Sequence, residues 1–122
     1  MENKVNQIEE MIKKNDLKGK FHSNGQDMSF ISPIDDGKKI FIVFSFFKGS
    51  YSAYYQDPIS QISIRLRKES LQKAVELLIK NLKVFIDVCD REISLGEECP
   101  SYYREDRQCF NQALSFVESL KF

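Results

Sequence analysis

An apolar run dominates the first half of the chain and reads KKIFIVFSFF over residues 38–47. Seven of these ten residues are large and apolar, and the alternation of a half-exposed strand is missing from residues 40–44. Such a run predicts a central β-strand that is covered on both faces, or covered on one face and buried by a partner chain on the other. The chain therefore needs a sheet with further strands on both sides of this segment.

Shorter strand signals flank this run. Segments 20–23 and 26–31 lie on either side of Asn24-Gly25, a pair that favours a two-residue hairpin because both residues tolerate positive φ. Ser32-Pro33 is expected to break the second of these strands. Two further strands are predicted at residues 51–55 and 59–67. Together these segments predict an antiparallel meander of four or five strands.

The second half of the chain changes to helical periodicity. After a predicted N-cap at Ser70, apolar residues recur every three or four positions until Leu95, and Gly96 follows as a C-cap. A second long helix is predicted after a cap at Ser101, and a short amphipathic helix at residues 3–16. The expected fold is α+β, with an N-terminal helix, an antiparallel β-meander and two long antiparallel C-terminal helices in one domain, residues 1–122.

Composition excludes several classes of function. Lys plus Arg and Asp plus Glu number 18 each, so the net charge is zero, which argues against a protein that coats duplex nucleic acid. The cysteines, Cys89, Cys99 and Cys109, contain no C-x-x-C pair, and His22 is the only histidine. These counts disfavour a disulfide framework, a zinc site and a Cys–His nucleophile. No apolar stretch reaches 18 residues and no secretory signal follows Met1, so we expect a cytoplasmic protein without membrane contact. The same sequence offers no catalytic constellation and no metal or cofactor site, which agrees with a non-enzyme.

Two apolar surfaces exceed what one small sheet needs. They are the run at residues 40–44 and the wide apolar face around residues 77–79 of the predicted long helix, and aromatic residues at 46–47, 51, 54 and 55 add to the sheet. Exposed aromatic patches are unfavourable in monomers, so we expect a homo-oligomer. The alternative is that the N-terminal helix covers the spare face of the sheet.

Two clusters combine arginine with residues that recognise nucleotides. Residues 1–68 hold 11 basic and 8 acidic residues, and within this mildly basic half Arg65 and Arg67 share the polar face of the last predicted strand. Arginine forks match phosphate oxygens, aromatic rings stack on bases and a helix N-terminus favours an anion. The same residues also fit a solvated surface with exposed ion pairs. The start of the last helix supplies the other candidates for a nucleotide pocket: Tyr102, Tyr103, Arg104 and Arg107.

In size and element order the chain resembles the phage Thoeris anti-defence proteins of the sponge type. The resemblance covers most of the chain and lies in a basic antiparallel sheet followed by two long helices. It implies a protein that binds a cyclic ADP-ribose-type immune signal, sequesters it intact in the host cytoplasm and so keeps defence effectors silent. It also implies a homo-oligomer with pockets between subunits, with Arg65, Arg67 and the segment 102–107 as ligand residues.

A second class of function fits the same sequence. A small inhibitor or immunity protein blocks a partner protein through an aromatic or acidic surface, with Tyr and Phe as anchors. A hydrolase that acts on a nucleotide is disfavoured, because the chain offers no motif for a nucleophile or for metal ligands. The fate of an added cyclic nucleotide separates the three classes: a sponge returns it intact, an enzyme returns product, and a protein inhibitor never depletes it.

Overall fold

The predicted α+β layout is confirmed by a computed structural model, which describes residues 7–24, 26–35, 40–96 and 102–122. A helix comes first, five strands follow, and two helices complete the described chain. Among the described helices, none combines the length and the apolar character that a bilayer crossing requires. In chain order the elements are α1 (Gln7–Asn15), β1 (Lys20–Ser23), β2 (Met28–Asp35), β3 (Ile40–Phe47), β4 (Ser50–Gln56), β5 (Ser63–Lys68), α2 (Leu71–Leu95) and α3 (Tyr102–Glu118).

The five strands form one antiparallel sheet in which every strand pairs with its neighbour in the sequence. The order is β1-β2-β3-β4-β5, so the apolar run forms the central strand, as predicted. The register places Phe44 opposite Phe30 on one side and opposite Ala53 on the other. Because side chains alternate across a strand, this register aligns the apolar residues of three strands on one face.

The helices cover one face of the sheet. On that face Ile40, Ile42 and Phe44 are completely buried, whereas Phe41 and Val43 are half-buried on the opposite face, which we call the outer face. Helix α1 packs on the covered side, because Gln7 Oε1 accepts a hydrogen bond of 2.9 Å from the backbone amide that begins α2. The described part of α1 lies against Tyr51, one of the aromatic residues of the sheet, and not on the outer face. The alternative to self-association, in which this helix covers the spare face, is therefore met for Tyr51 but not for the outer face.

Helix α2 has the predicted limits because both ends are capped. Ser70 Oγ accepts a hydrogen bond of 3.2 Å from the Lys73 amide. At the other end Gly96 adopts a φ of 79° and donates its amide to Ile93 O at 3.1 Å. The periodic apolar face is buried against the sheet and α3, through Leu71, Ala74, Val75, Leu78, Leu82, Ile86 and Cys89.

Helix α3 returns antiparallel to α2, as predicted. Lys83 Nζ lies 3.4 Å from Glu118 Oε2 near the end of α3, while the start of α3 lies beside the later part of α2. Phe110 joins the helices to the sheet, because its ring stacks on Phe85 at 5.4 Å and contacts Tyr55 at 5.7 Å between centroids. The predicted cap at Ser101 lies outside the described residues.

The connection between β1 and β2 is longer than the predicted hairpin. Ser23 pairs with Met28, so four residues connect the strands instead of two. Asn24 Oδ1 accepts the amides of Gln26 at 3.3 Å and Asp27 at 2.9 Å. The Asn24 backbone amide also donates to Asp27 O at 3.1 Å, so side-chain and backbone bonds together close a longer turn than the one that the Asn-Gly pair favours.

Two predicted strand limits are wrong. Strand β2 continues through Pro33 to Asp35 with a register shift between them, because β1 pairs only as far as Ile31 and leaves β2 one neighbour at Pro33. Residues 59–62 form a turn before β5, because the Asp57 carboxylate accepts the amides of Ile59 and Ser60 at 3.2 and 2.8 Å.

Helix α1 ends one residue before the predicted limit, and Gly19 lies in the connection to β1. The helix stops at Asn15, and Asp16 follows with a φ of 49°. A Cβ atom on Gly19 would lie 2.1 Å from Ile31 O and 2.8 Å from the Phe30 ring. The glycine therefore permits close contact between the start of β1 and β2. Residues 3–6 of the predicted helix lie outside the described part.

Candidate functional site: the outer face of the sheet

The strand register aligns polar side chains across the outer face. His22, Ser29, Ser45, Ser52 and Arg67 form one row, because each is the registered partner of the next. The alternation of side chains places all five on the face opposite the helices. A histidine, three hydroxyls and an arginine from five strands thus meet in one line across the sheet.

The neighbouring row ends in an arginine that stacks on a tyrosine. Val43, Tyr54 and Arg65 are registered partners, and the Arg65 guanidinium carbon lies 4.8 Å from the Tyr54 ring centroid. The Tyr54 hydroxyl donates to Gln56 Oε1 at 3.0 Å and lies 3.3 Å from Ser63 Oγ, which fixes the ring. The cation–π contact therefore holds Arg65 in position while its N–H donors still face outward.

Between and beside these rows lies a shallow basin of about 360 Å³, with His22, Arg65 and Arg67 among its lining residues. The Oγ atoms of Ser45 and Ser52, which also line it, are 2.6 Å apart. Its volume falls within the range of roughly 300–1,000 Å³ that is typical of small-molecule sites.

The basin also has an aromatic rim. The Phe47 side chain is 45% exposed there, and Lys48 Nζ lies 5.3 Å from its ring centroid. Asp27 is the one carboxylate among the described lining residues, against the two arginines. The basin therefore combines an excess of cationic donors with hydroxyls and an exposed ring.

The second predicted cluster lies on the other side of the sheet. Phe110 packs α3 against Tyr55 on the covered face, whereas Arg65 and Arg67 point away from that face. Within one chain the structure therefore does not bring Arg65 and Arg67 together with the start of α3. Periodicity predicted both elements but not the side of the sheet on which each cluster lies.

The individual residues of the second cluster have separate environments. Tyr103 is half-buried against the hydrophobic core, and Arg104 is exposed. Arg107 donates a hydrogen bond from Nε to Asp90 Oδ1 of α2 in an ion pair. Tyr102 begins α3, and its side chain lies outside the described part. Arg107 thus has a structural partner in α2, and not within its own segment as the alternative of ion pairs among residues 104–107 supposed.

Beneath the sheet the structure contains a buried pair of carboxyl groups that the sequence analysis missed. Asp57 is completely buried and Asp106 is 2% exposed. Asp57 accepts hydrogen bonds from the Tyr55 hydroxyl at 2.9 Å and the Ser60 hydroxyl at 2.9 Å. Asp106 hydrogen bonds to Asp57, while its Oδ1 has no hydrogen-bond partner. The missed signal is that Asp106 lies four residues before Phe110, on the apolar stripe of α3.

The carboxyl pair shares a proton. Burial, the hydrogen bond to Asp57 and the proximity of that carboxylate together raise the pKa of Asp106 to about 7, against a smaller opposite effect of the hydrogen bonds from Ser60. Burial and the neighbouring Asp57 also raise the pKa of the Tyr55 hydroxyl. Protonated Asp106 is therefore the donor and Asp57 the acceptor beneath the β4–β5 turn, while Asp106 Oδ1 accepts nothing from the described residues.

The cysteines and carboxylates of the described chain offer little for covalent or metal chemistry. Cys89 and Cys109 are both buried thiols, and burial raises the pKa of Cys89 to about 11, which weakens it as a nucleophile. No group of three or more His, Cys, Asp or Glu side chains that could hold a metal ion occurs among the described residues. Cys99 lies outside them.

The chain matches no family model, no curated protein and no solved structure, so its function has to be inferred from its own side chains.

Proposed function

We propose that this protein binds an anionic, nucleotide-type ligand in the basin of the outer face. The observation that supports the proposal is the alignment of Arg65 and Arg67 with a row of hydroxyls and an exposed ring, on a sheet face that no described helix covers. Neither arginine forms an ion pair with a residue that the structure describes. Their donors are therefore available to a ligand.

Each part of a nucleotide has a matching group in the basin. A phosphate accepts paired hydrogen bonds from a guanidinium fork, and Arg65 is already held in place by Tyr54. A ribose hydroxyl exchanges a hydrogen bond with the half-buried Ser45 hydroxyl, which the buried Ser52 hydroxyl holds in position at 2.6 Å. A base stacks on the exposed ring of Phe47. A ligand with both phosphate and base thus uses the whole basin.

The specific form of the proposal is a sponge for a cyclic ADP-ribose isomer, encoded by a phage and active in the host cytoplasm. The resemblance to the Thoeris anti-defence proteins in size and element order supports this choice. That resemblance also implies binding without cleavage. The basin itself contains His22 and Asp27, so the fate of the bound ligand is measured directly. In this form the protein acts by lowering the free concentration of the signal.

The test combines binding with recovery of the ligand. Cyclic ADP-ribose isomers, linear ADP-ribose and cyclic dinucleotides at about 100 μM are titrated by calorimetry and thermal shift, since a ligand of the folded state raises the melting temperature. We expect one cyclic ADP-ribose isomer to bind and to be recovered unaltered after heat denaturation of the protein. Recovery of product contradicts the sponge, and absence of binding by every compound contradicts the nucleotide proposal.

A matched pair of variants tests the location of the site. Arg67→Ala and Arg65→Ala each remove a guanidinium from the basin, so we expect binding to weaken by about 2 kcal/mol, or roughly 30-fold. Arg104→Ala removes an exposed guanidinium from α3, on the other side of the sheet, and is expected to leave the affinity unchanged. The reverse ranking would move the site from the basin to the start of α3.

A protein partner is the second candidate for the outer face. Ile31 and Phe47 are 40% and 45% exposed on this face, and exposed apolar side chains of this size serve as anchors in protein interfaces. An inhibitor of this kind leaves every nucleotide free in solution. Its binding to a partner protein depends on Ile31 and Phe47 more than on Arg67, which separates it from the sponge.

A further inference from the structure

An apolar stripe runs along the side of α2 that faces away from the core. Val84, Val88 and Leu95 are 59%, 41% and 71% exposed, and Leu77 is half-buried. The spacing of seven, four and seven residues places the four side chains in one line, as in the contact line of a coiled coil. No described element of the chain covers Val84, Val88 or Leu95, so α2 presents an unpartnered apolar surface on a regular helix.

Charged side chains of alternating sign follow one edge of this stripe. Glu76, Lys80, Asp87 and Arg91 are exposed and share one side of α2, because they are separated by four, seven and four residues. Glu76 and Arg91 are equally far from the point between Lys83 and Val84, and so are Lys80 and Asp87. Reversal of the helix about that point therefore exchanges every acidic residue for a basic one.

We propose that α2 pairs antiparallel with α2 of a second copy of this chain, about a two-fold axis at that point. In an antiparallel helix pair the same edge of both helices meets, so Lys80 lies opposite Asp87 of the second copy and Glu76 lies opposite its Arg91. The two-fold axis repeats both contacts, which gives four ion pairs beside Leu77, Val84 and Val88. In this register Leu95 lies opposite Gln72 of the second copy and stays outside the apolar contact. This interface leaves the outer face of the sheet open and does not depend on the proposed ligand.

The charges determine the direction of the helix pair as well as its register. In a parallel pair the charged edge meets the opposite edge of the neighbouring helix, which carries Asn81, Phe85 and Glu92. That edge contains no basic residue to accept Glu76 or Asp87. The antiparallel arrangement is therefore the one in which the charges complement each other.

The first experiment measures mass in solution by light scattering after size exclusion at micromolar concentration. We expect twice the chain mass of 14.3 kDa for the wild type. Val84→Lys places a charge at the centre of the interface and is expected to give the monomer mass. Ile31→Lys, which alters a 40%-exposed residue of the outer face, is expected to leave the dimer intact. A monomeric wild type, or a dimer that dissociates with Ile31→Lys and persists with Val84→Lys, overturns the proposal.

A charge exchange tests the direction and register. Lys80→Glu and Asp87→Lys each create two like-charge contacts, and we expect either single variant to raise the dimer dissociation constant about tenfold or more. The double variant restores opposite charges and is expected to recover the wild-type constant. The two positions are about 10 Å apart along one helix, so recovery requires contact between copies. Lys13→Glu, on α1, serves as the charge control, and failure of the double variant to recover overturns this arrangement.

Discussion

Asp106 occupies a position in α3 that the helical periodicity assigns to the core. Its neighbours on the same face, Tyr103 and Phe110, pack into the hydrophobic cluster, and the carboxyl group is 2% exposed. An ionised carboxylate in such a place is costly unless it is paired with a cation, so burial favours the neutral form of Asp106, which donates a hydrogen bond to Asp57. The buried pair therefore makes the stability of the fold depend on pH.

The direction of that dependence follows from the raised pKa of Asp106. In the unfolded chain the pKa is near 3.8, and in the folded chain it is about 7. Between these two pKa values the folded state binds more protons than the unfolded state. The free energy of unfolding that this group contributes therefore decreases as pH rises, by up to about 1.4 kcal/mol per pH unit. Above about pH 7 this contribution is constant. Asp106→Asn keeps a donor toward Asp57 without titrating and is expected to abolish this decrease.

Urea denaturation of both proteins between about pH 4 and 8 measures the effect, since linear extrapolation gives the free energy of unfolding at each pH. The stability of Asp106→Asn relative to the wild type should rise with pH and then level off. Glu105→Gln removes an exposed carboxylate from the adjacent position and is the control. Parallel curves for Asp106→Asn and the wild type would contradict the shared proton.

Gly19 lies where the backbone leaves no room for a side chain. A methyl group there meets Ile31 O at 2.1 Å, and a backbone atom cannot move aside as a flexible side chain can. We expect Gly19→Ala to destabilise the fold by about 1–3 kcal/mol, measured by urea denaturation. Gly49→Ala is the comparison, because its Cβ meets nothing within 4 Å and its φ of 81° costs about 1 kcal/mol of strain. A smaller loss of stability for Gly19→Ala than for Gly49→Ala would show that β1 shifts and relieves the contact.

At the scale of elements, α2 is the segment whose limits the sequence specifies most completely. Ser70 accepts the Lys73 amide and Gly96 closes the C-terminal end, and both residue types have strong positional preferences. Ser70→Ala is expected to lower the free energy of unfolding by about 1 kcal/mol. Ser115→Ala, at an exposed position inside α3, has no cap to lose and should be neutral or slightly stabilising. Equal losses for the two would mean that the cap contributes nothing.

The β-elements were predicted less well, because side chains from elsewhere decide their ends. Asn24 binds two later amides and lengthens the first turn, and Asp57 binds the amides of Ile59 and Ser60 and shortens β5. Neither choice is visible in local β-propensity, which favours Ile59 in a strand. Pro33 continues β2 only because β1 has ended beside it, which depends on the register of another strand.

The sequence predicted only part of the candidate site, because the site combines residues from several strands. Alternation placed Arg65 and Arg67 on one polar face, and the structure agrees. Ser45 and Ser52 were missed, although each lies two positions from an outer-face residue of its own strand, Val43 and Tyr54, and so shares that face. The position of residues 102–107 could not be inferred from periodicity, because a helical stripe predicts what is buried and not which side of the sheet buries it.

At the scale of the whole molecule, Asn15 joins the first and last described segments. Its Nδ2 donates to Lys121 O at 3.0 Å, and its Oδ1 accepts the Lys121 amide at 2.8 Å. Asn15→Ala removes both bonds, which lie at the surface, so we expect a loss of about 1 kcal/mol and a fall in Tm of about 3–5 °C. Lys13→Ala on the same helix is the control. An unchanged Tm would mean that the segment after α3 is held by other contacts.

Strand β5 is an edge of the sheet, and three of its six residues are basic: Arg65, Arg67 and Lys68. An edge strand offers unpaired backbone groups to any other strand, and charged side chains oppose such pairing by repulsion. The two arginines of the basin thus also protect the chain against edge-to-edge aggregation. An apolar replacement at either arginine would remove part of this protection and expose the edge of the sheet to pairing with another strand.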